Sequence, residues 1–178
     1  MPRAITLATV LATVVLASSC GGDDDSVAVG DYANDVCTAL KGWSSDLRDR
    51  QEELQQSATP GASAESDRDS LEQFVDGAVE ATDKLVQEVE DAGEPDIDKG
   101  GDVADAFRSA ATDTREKLDQ AKDDIPDIPT DNPQDYRSAV DAFVTNLRGT
   151  LEGIDEHFKD VDAPELDTAL DKASACQG

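Results

Sequence analysis

The chain has 178 residues, of which 41 are acidic and 15 are basic, so its formal net charge at pH 7 is −26. This balance excludes nucleic acid as a partner, because phosphate groups bind to a basic protein face. We expect a solvated surface that keeps the protein monomeric by self-repulsion, although the same charge would also attract cations or a basic partner.

Residues 1–19 have the composition of an export signal. Arg3 supplies a positive charge, and the 14 residues from Ala4 to Ala17 form an uncharged, mostly apolar run. That run is shorter than the about 20 residues that span a bilayer, but it has the length of the apolar part of a secretory signal. Small residues then lead to Cys20, which two glycines follow. The alternative is an ordinary secretory signal in which this cysteine is incidental.

The order of apolar run, small residues and cysteine resembles the lipobox of bacterial lipoproteins, with Leu16 one place earlier than the usual leucine. The resemblance implies that Cys20 receives a diacylglyceryl group and, after cleavage, becomes the first residue of the mature chain. Because two acyl chains anchor a protein stably, we expect it on the extracytoplasmic face of the plasma membrane. The predicted domains are a lipoprotein signal peptide (1–19), the lipidated cysteine with a flexible acidic tether (20–30), and a helical bundle domain (31–178).

Apolar residues recur at spacings of three and four along four long stretches of the remaining chain, which predicts amphipathic helices. The expected helices run from about 31 to 56, from 64 to 92, from 102 to 124, and from Pro133 along a stripe that extends from Tyr136 to Val161. A short fifth helix is expected over 164–176. Proline and glycine interrupt the pattern in breaks of about six to ten residues, which favour antiparallel neighbours. The predicted fold is therefore all-α, an up-down-up-down four-helix bundle with a short fifth C-terminal helix, and no stretch has the alternation of a strand.

Three cysteines occur in the chain, and the lipid assignment of Cys20 leaves Cys37 and Cys176. In an oxidising compartment an even number favours one disulfide between them, and two free buried thiols are the alternative. A loop of about 140 residues closed in this way contributes up to about 5 kcal/mol in the chain-entropy model. No Cys-x-x-Cys sequence is present, so thiol–disulfide exchange chemistry has no support.

Few residues indicate chemistry. His157 is the only histidine, and we expect it to be exposed on a helix. Ile154 stands three residues before it, so the Glu-x-x-His pattern of di-metal bundles is missing. Residues 96–102 resemble a calcium loop briefly, but Gly100 and Phe107 occupy positions that need oxygen ligands, so we expect a turn and helix cap there. We predict no catalytic residues, no metal and no cofactor.

Three aromatic residues on the predicted stripes, Trp43, Phe143 and Phe158, are expected to fill the core. If a cavity lies between the helices, the same three would line a ligand site. Gly149 and Gly153 stand four residues apart on the fourth predicted helix, where they would allow either close helix packing or a local groove.

The chain as a whole resembles small actinobacterial envelope lipoproteins. The resemblance rests on the lipobox, the short Gly/Asp tether, the pattern from Tyr32 through Val36-Cys37 to Trp43, and the terminal Ala-x-Cys176. It implies an address and a helical fold. We therefore predict a non-enzymatic, membrane-tethered binding or interaction module for an envelope protein or a small ligand. The alternative is an acidic cation-binding envelope protein, and an enzyme would require two carboxylates buried in a pocket.

Overall fold

The computed structural model describes residues 26–57, 61–151, 156–159 and 161–177. The described elements are β1 (Ser26–Val27), α1 (Val29–Ser57), α2 (Ala64–Asp91), β2 (Glu94–Pro95), α3 (Gly100–Asp124), a 3-10 turn (Ile125–Asp127), α4 (Pro133–Leu151) and α5 (Pro164–Lys172). The all-α prediction is confirmed. Within the described ranges, none of the helices has the length and apolar character needed to cross a membrane.

Local sequence accounts for the helix boundaries. Ser63 caps α2, because its side-chain oxygen accepts a hydrogen bond from the backbone N–H of Ser66 at 3.2 Å. Gly93 follows the end of α2 with a φ of 74°, a conformation that glycine adopts without steric cost. The next helix begins at Gly100, two residues earlier than predicted, after a turn in which Ile97 N–H donates to the Pro95 carbonyl.

The centre of the fold is a layer in which α1 packs against α2 and α2 packs against α3. Near the end of α1, Arg50 Nη2 lies 3.1 Å from Glu80 Oε2 in the middle of α2. Nearer the start of α1, Ala39 packs with Leu85 and Val89, which lie further along α2. The residue order on the two helices is thus opposite, so α1 and α2 are antiparallel.

The pair α2 and α3 is antiparallel as well, and two charged contacts set its register. Lys122 Nζ lies 2.6 Å from Asp76 Oδ1, and Arg115 Nε lies 2.9 Å from Asp83 Oδ1. The hydrogen bond from Lys122 to Asp76 raises the pKa of the lysine, because it stabilises the charged form. Both contacts are partly exposed, so they specify register more than they stabilise the fold.

The last two helices pack at different places on this layer. Phe143 of α4 is buried with Leu71, Val75 and the turn residues Ile125 and Ile128, at the end of the layer where α2 begins and α3 ends. In contrast, α5 packs against α1. There Leu166 and Ala173 join a buried cluster that includes Tyr32 and Val36.

The fourth predicted stripe does not belong to one helix. Among the described residues α4 ends at Leu151, and Phe158 lies in a separate short 3-10 turn over residues 156–158. The Phe158 ring packs edge-on against Phe107 of α3, whereas Val161 packs against the buried cluster that contains Tyr32 and Leu166. The continuous spacing that the sequence indicates is therefore divided between two parts of the core.

Residues 26–30, which the sequence predicts to be part of the flexible tether, include β1 and the start of α1. Ser26 and Val27, which we assigned to the flexible tether, pair in parallel with Glu94 and Pro95. The N–H of Asp96 also donates to the Val27 carbonyl at 2.7 Å. Valine occupies every second position over residues 26–29. Val27 and Val29 pack against the buried cluster that contains Tyr32, so apolar burial explains why this part of the predicted tether is structured.

The predicted disulfide between Cys37 and Cys176 is confirmed. Its two Cα atoms lie 5.2 Å apart, within the normal range for this bond, and it links residues 139 positions apart. Cys37 lies in α1 and Cys176 lies in the turn after α5. The bond therefore joins the chain's C-terminal segment to the first helix, next to the cluster in which α5 buries Leu166.

Candidate functional site

A cavity of about 130 Å³ lies in the core between α1, α2, α3 and the 156–158 turn. From α1, Leu40 and Trp43 line it, three residues apart on one face. From α2, Leu85 and Val89 line it, four residues apart. Each pair lies on one face of its helix, which is why two aliphatic or aromatic side chains from each helix reach the same space. Leu40 is 38% exposed, so this side chain lies where the cavity meets solvent.

The wall that α3 contributes explains why space remains. Phe107, Ala110, Ala111 and Thr114 lie along it at helical spacing. The two alanines are buried, yet each carries a single methyl group. Large side chains opposite them cannot fill the volume that a leucine or isoleucine on α3 would occupy. The cavity is therefore a consequence of small residues at two core positions.

Phe158 forms the remaining wall, and two contacts hold it in place. Its ring packs edge-on against Phe107, with the centroids 4.8 Å apart. The preceding residue, His157, places Nε2 2.8 Å from Oδ2 of Asp113 on α3. Because an ionised carboxylate only accepts hydrogen bonds, the imidazole is the donor. The expectation that His157 is an exposed helical residue is wrong, because this contact half-buries it in a 3-10 turn.

The donors in and around the cavity are used within the protein. The indole N–H of Trp43 donates to Thr82 Oγ1 at 2.9 Å, and the Thr82 hydroxyl donates to the Ala78 carbonyl at 2.8 Å. The hydroxyl of Thr114 donates to the Ala110 carbonyl at 2.7 Å. The lining is otherwise hydrocarbon, so the cavity can accommodate an apolar group without leaving a buried donor unpaired.

Two of the three aromatic residues proposed from the sequence meet at this cavity and one does not. Trp43 and Phe158 line it together. Phe143 lies instead in a second, more polar cavity of about 340 Å³ between α3 and α4. The sequence prediction did not select Phe107 and Asp113. Phe107 has the helical spacing of a lining residue, whereas no local signal identifies Asp113, whose partner is 44 residues away.

The described residues offer no arrangement suited to a metal ion or to carboxylate catalysis. No three His, Cys, Asp or Glu side chains in the described ranges are grouped so that they could hold a metal ion. Residues 96–102 form the turn and the first residues of α3, as expected. Among the described residues, the buried polar side chains are those of Thr82 and Thr114, so no pair of carboxylates is buried in the described ranges.

Comparison with protein-family models, with curated proteins and with solved structures finds no match to this chain. The functional conclusion therefore depends on the cavity and its surroundings.

Proposed function

We propose that the protein is a non-enzymatic, membrane-tethered lipoprotein that acts as an extracytoplasmic binding module, and that it binds a small apolar group in the core cavity. The observation that carries the proposal is the cavity itself, an apolar space with Trp43 and Phe158 in its walls. Clefts with aromatic and aliphatic linings are the usual sites for small ligands. Leu40 is exposed at the edge of the cavity, so a ligand can enter from solvent at this side chain.

The proposed anchor is a diacylglyceryl group on Cys20, which lies outside the described residues. Ser26, the first residue of β1, lies six positions after Cys20, and six positions span at most about 20 Å. The 14-residue step from Val29 to Trp43 adds about 21 Å along α1. The three positions from Ser26 to Val29 add at most about 10 Å. The cavity would thus lie within about 50 Å of the membrane surface, where it could take up compounds that leave or approach the bilayer.

The cavity volume limits what it can bind. An apolar cavity of about 150 Å³ in another protein accommodates one benzene molecule, so about 130 Å³ suits five or six non-hydrogen atoms. Burial of five methylene groups contributes about 4 kcal/mol, which corresponds to a dissociation constant of about 1 mM. The ligand is therefore a small molecule, or a larger one that inserts only a short apolar end.

Fluorescence tests this proposal directly, because Trp43 is the only tryptophan in the chain. Titration of the full-length chain with 1-pentanol should change the indole emission and saturate near millimolar concentration. Ala110→Leu, which fills the cavity, should abolish the saturable change. Ala142→Leu is the matched control, because Ala142 lines the second cavity. A linear, unsaturable response in the unaltered protein, or full binding by the Ala110 variant, would refute the proposal.

The tether is tested separately. Cys20→Ser should abolish incorporation of a labelled fatty acid in cells and move the protein from the membrane fraction to the soluble fraction. Cys37→Ser is the matched control, because it also removes a thiol but leaves the lipidation site intact. Membrane association of the Cys20 variant equal to that of the unaltered protein would contradict the proposed anchor.

We also infer that the four long helices form an up-down-up-down bundle. The antiparallel pairs α1–α2 and α2–α3 support this arrangement, as does the packing of α4 beside the end of α3. The alternative function, cation binding by an acidic envelope protein, has the net charge of −26 as its only support.

A further inference from the structure

Phe158 differs from the other residues that line the core cavity, because it does not lie on a long helix. The other lining residues belong to α1, α2 or α3, where helical hydrogen bonds and the packing of neighbouring helices fix the backbone. Phe158 lies in the 3-10 turn over residues 156–158, and the hydrogen bonds of such a turn have poorer geometry than those of an α-helix. Its place in the cavity wall therefore depends on tertiary contacts.

Two side-chain contacts join this turn to α3. The Phe158 ring packs edge-on against Phe107, with the centroids 4.8 Å apart. Nε2 of His157 lies 2.8 Å from Oδ2 of Asp113. Phe107 lines the cavity, so the first contact is itself part of the wall, whereas Asp113 is not among the lining residues. The Asp113 carboxylate therefore acts on the cavity through His157 and the next residue in the chain, Phe158.

The hydrogen bond fixes the turn from the side opposite to its other support. After the turn, the N–H of Val161 donates to the Phe158 carbonyl at 3.1 Å, and the Val161 side chain packs against the buried cluster that contains Tyr32. Before Phe158, the contact between His157 and Asp113 is directional, because the imidazole N–H must point at the carboxylate oxygen. With the backbone held on both sides, the Phe158 ring is directed into the cavity wall.

We propose that Asp113 is a positioning residue for the cavity: through His157 it holds Phe158 in the wall, and the wall sets the length of the apolar chain that the cavity accepts. This inference rests on the proposed function, because it assigns the size selection of the same cavity. With Phe158 in place, the volume of about 130 Å³ suits five or six non-hydrogen atoms. Further methylene groups of a longer chain stay in solvent at the edge where Leu40 lies. Without the hydrogen bond, the Phe158 ring leaves the wall in a fraction of the molecules, and the space admits a longer chain.

The dependence of affinity on chain length tests the proposal. We titrate 1-butanol, 1-pentanol and 1-heptanol into the full-length chain at pH 7, with the emission of Trp43 as readout. In the unaltered protein, affinity should rise about fourfold from 1-butanol to 1-pentanol, the effect of one buried methylene group, and by less than about twofold from 1-pentanol to 1-heptanol. Asp113→Ala should weaken 1-pentanol binding about three- to tenfold, because loss of one hydrogen bond lowers the fraction of molecules with a complete wall. In this variant 1-heptanol should bind at least about fourfold more tightly than 1-pentanol.

Further variants separate the position of Phe158 from a general effect on α3. Asp113→Asn keeps an acceptor oxygen for His157 and should retain the chain-length dependence of the unaltered protein. Asp123→Ala removes an acidic side chain about 15 Å further along the same helix and should retain it as well. His157→Leu removes the same hydrogen bond from the turn and should behave like Asp113→Ala. In a Phe158→Ala background, Asp113→Ala should change affinity by less than about twofold, because the residue through which Asp113 acts is absent.

The outcomes separate this proposal from the one on which it rests, and far-UV circular dichroism verifies that each variant retains its helices. An unchanged chain-length dependence in Asp113→Ala, or the same change in Asp123→Ala, overturns the positioning role and leaves the binding function standing. An effect of Asp113→Ala that is equally large in the Phe158→Ala background overturns the role of Phe158. Absence of saturable binding of all three alcohols by the unaltered protein overturns the proposed function as well.

Discussion

Replacement of Tyr32 by phenylalanine should stabilise the protein, although it removes a polar group from the centre of the core. Tyr32 is 0% exposed, and its ring packs edge-on against Phe107 with the centroids 6.2 Å apart. Its hydroxyl has no hydrogen-bond partner among the described residues. Phenylalanine keeps the ring packing and removes the hydroxyl, so the substitution changes little except the cost of burying that group.

Two magnitudes follow from the structure. A buried hydroxyl without a partner costs about 1–3 kcal/mol, so Tyr32→Phe should raise the free energy of unfolding by at least about 1 kcal/mol. Burial also raises the pKa of Tyr32 to about 12. Between pH 10 and pH 12 the unfolded state loses this proton while the folded state keeps it. Relative to its value below pH 10, the free energy of unfolding therefore falls as the pH rises through 12, by about 3 kcal/mol.

Urea denaturation monitored by circular dichroism from pH 7 to pH 12 measures both effects. At pH 7 the variant should unfold at a higher urea concentration, with a Tm about 2–4 °C higher per kcal/mol gained. Above pH 10 it should lose less stability than the unaltered protein. Tyr136→Phe is the control, because partial burial also raises the pKa of Tyr136, and that variant should keep the alkaline loss that Tyr32 causes. A Tyr32 variant that is less stable at pH 7 would refute the reasoning, since it would mean that the hydroxyl makes a favourable interaction.

Further substitutions test the rest of the core. Joint replacement of Cys37 and Cys176 by serine should lower the free energy of unfolding by up to about 5 kcal/mol. Reduction of the unaltered protein should reproduce this loss. An unchanged midpoint of urea denaturation in the double variant would show that the disulfide does not stabilise the fold. Gly100→Ala should destabilise by about 1–3 kcal/mol, because the new methyl group would overlap a backbone carbonyl oxygen of β2. At Gly101 the methyl group would make only ordinary van der Waals contact with the Glu94 side chain, at 3.6 Å. Gly101→Ala should therefore be neutral or up to about 1 kcal/mol stabilising, and equal effects of the two substitutions on thermal unfolding would contradict the close approach at Gly100. Thr82→Val should cost about 1–3 kcal/mol in denaturant unfolding, because it leaves the partly buried indole N–H of Trp43 without its acceptor. Thr82→Ser should recover most of the loss, and a neutral valine variant would show that this hydrogen bond contributes nothing.

Much of the local structure could be predicted from the sequence, because the signals that specify it lie close together in the chain. Spacings of three and four place apolar residues on one helix face, and Pro133 and Gly93 fall at a helix start and just past a helix end. The sequence placed Ser26 and Val27 in the tether, whereas the structure pairs them with Glu94 and Pro95. The pairing of Val27 with Pro95 depends on a contact 68 positions along the chain, and a local sequence pattern does not identify the partner.

The candidate site shows the limit of the same reasoning. The stripe from Tyr136 to Val161 has a regular helical period, so the sequence assigned Phe143 and Phe158 to one helix and one site. Tertiary packing divides them, with Phe143 between α3 and α4 and Phe158 against Phe107. The helical spacing of apolar residues indicates only which side of a segment is apolar. It does not indicate which other segment that side will pack against.

The sequence by itself determined the helical class, the acidic composition and the pairing of Cys37 with Cys176. These depend on local spacing, on composition and on the number of cysteines left for one bond. Only the tertiary structure decided that Ala110 and Ala111 leave a cavity beside Trp43, and that His157 reaches Asp113. The physical reason is that a cavity and a cross-chain hydrogen bond depend on volumes and groups from several distant segments at once.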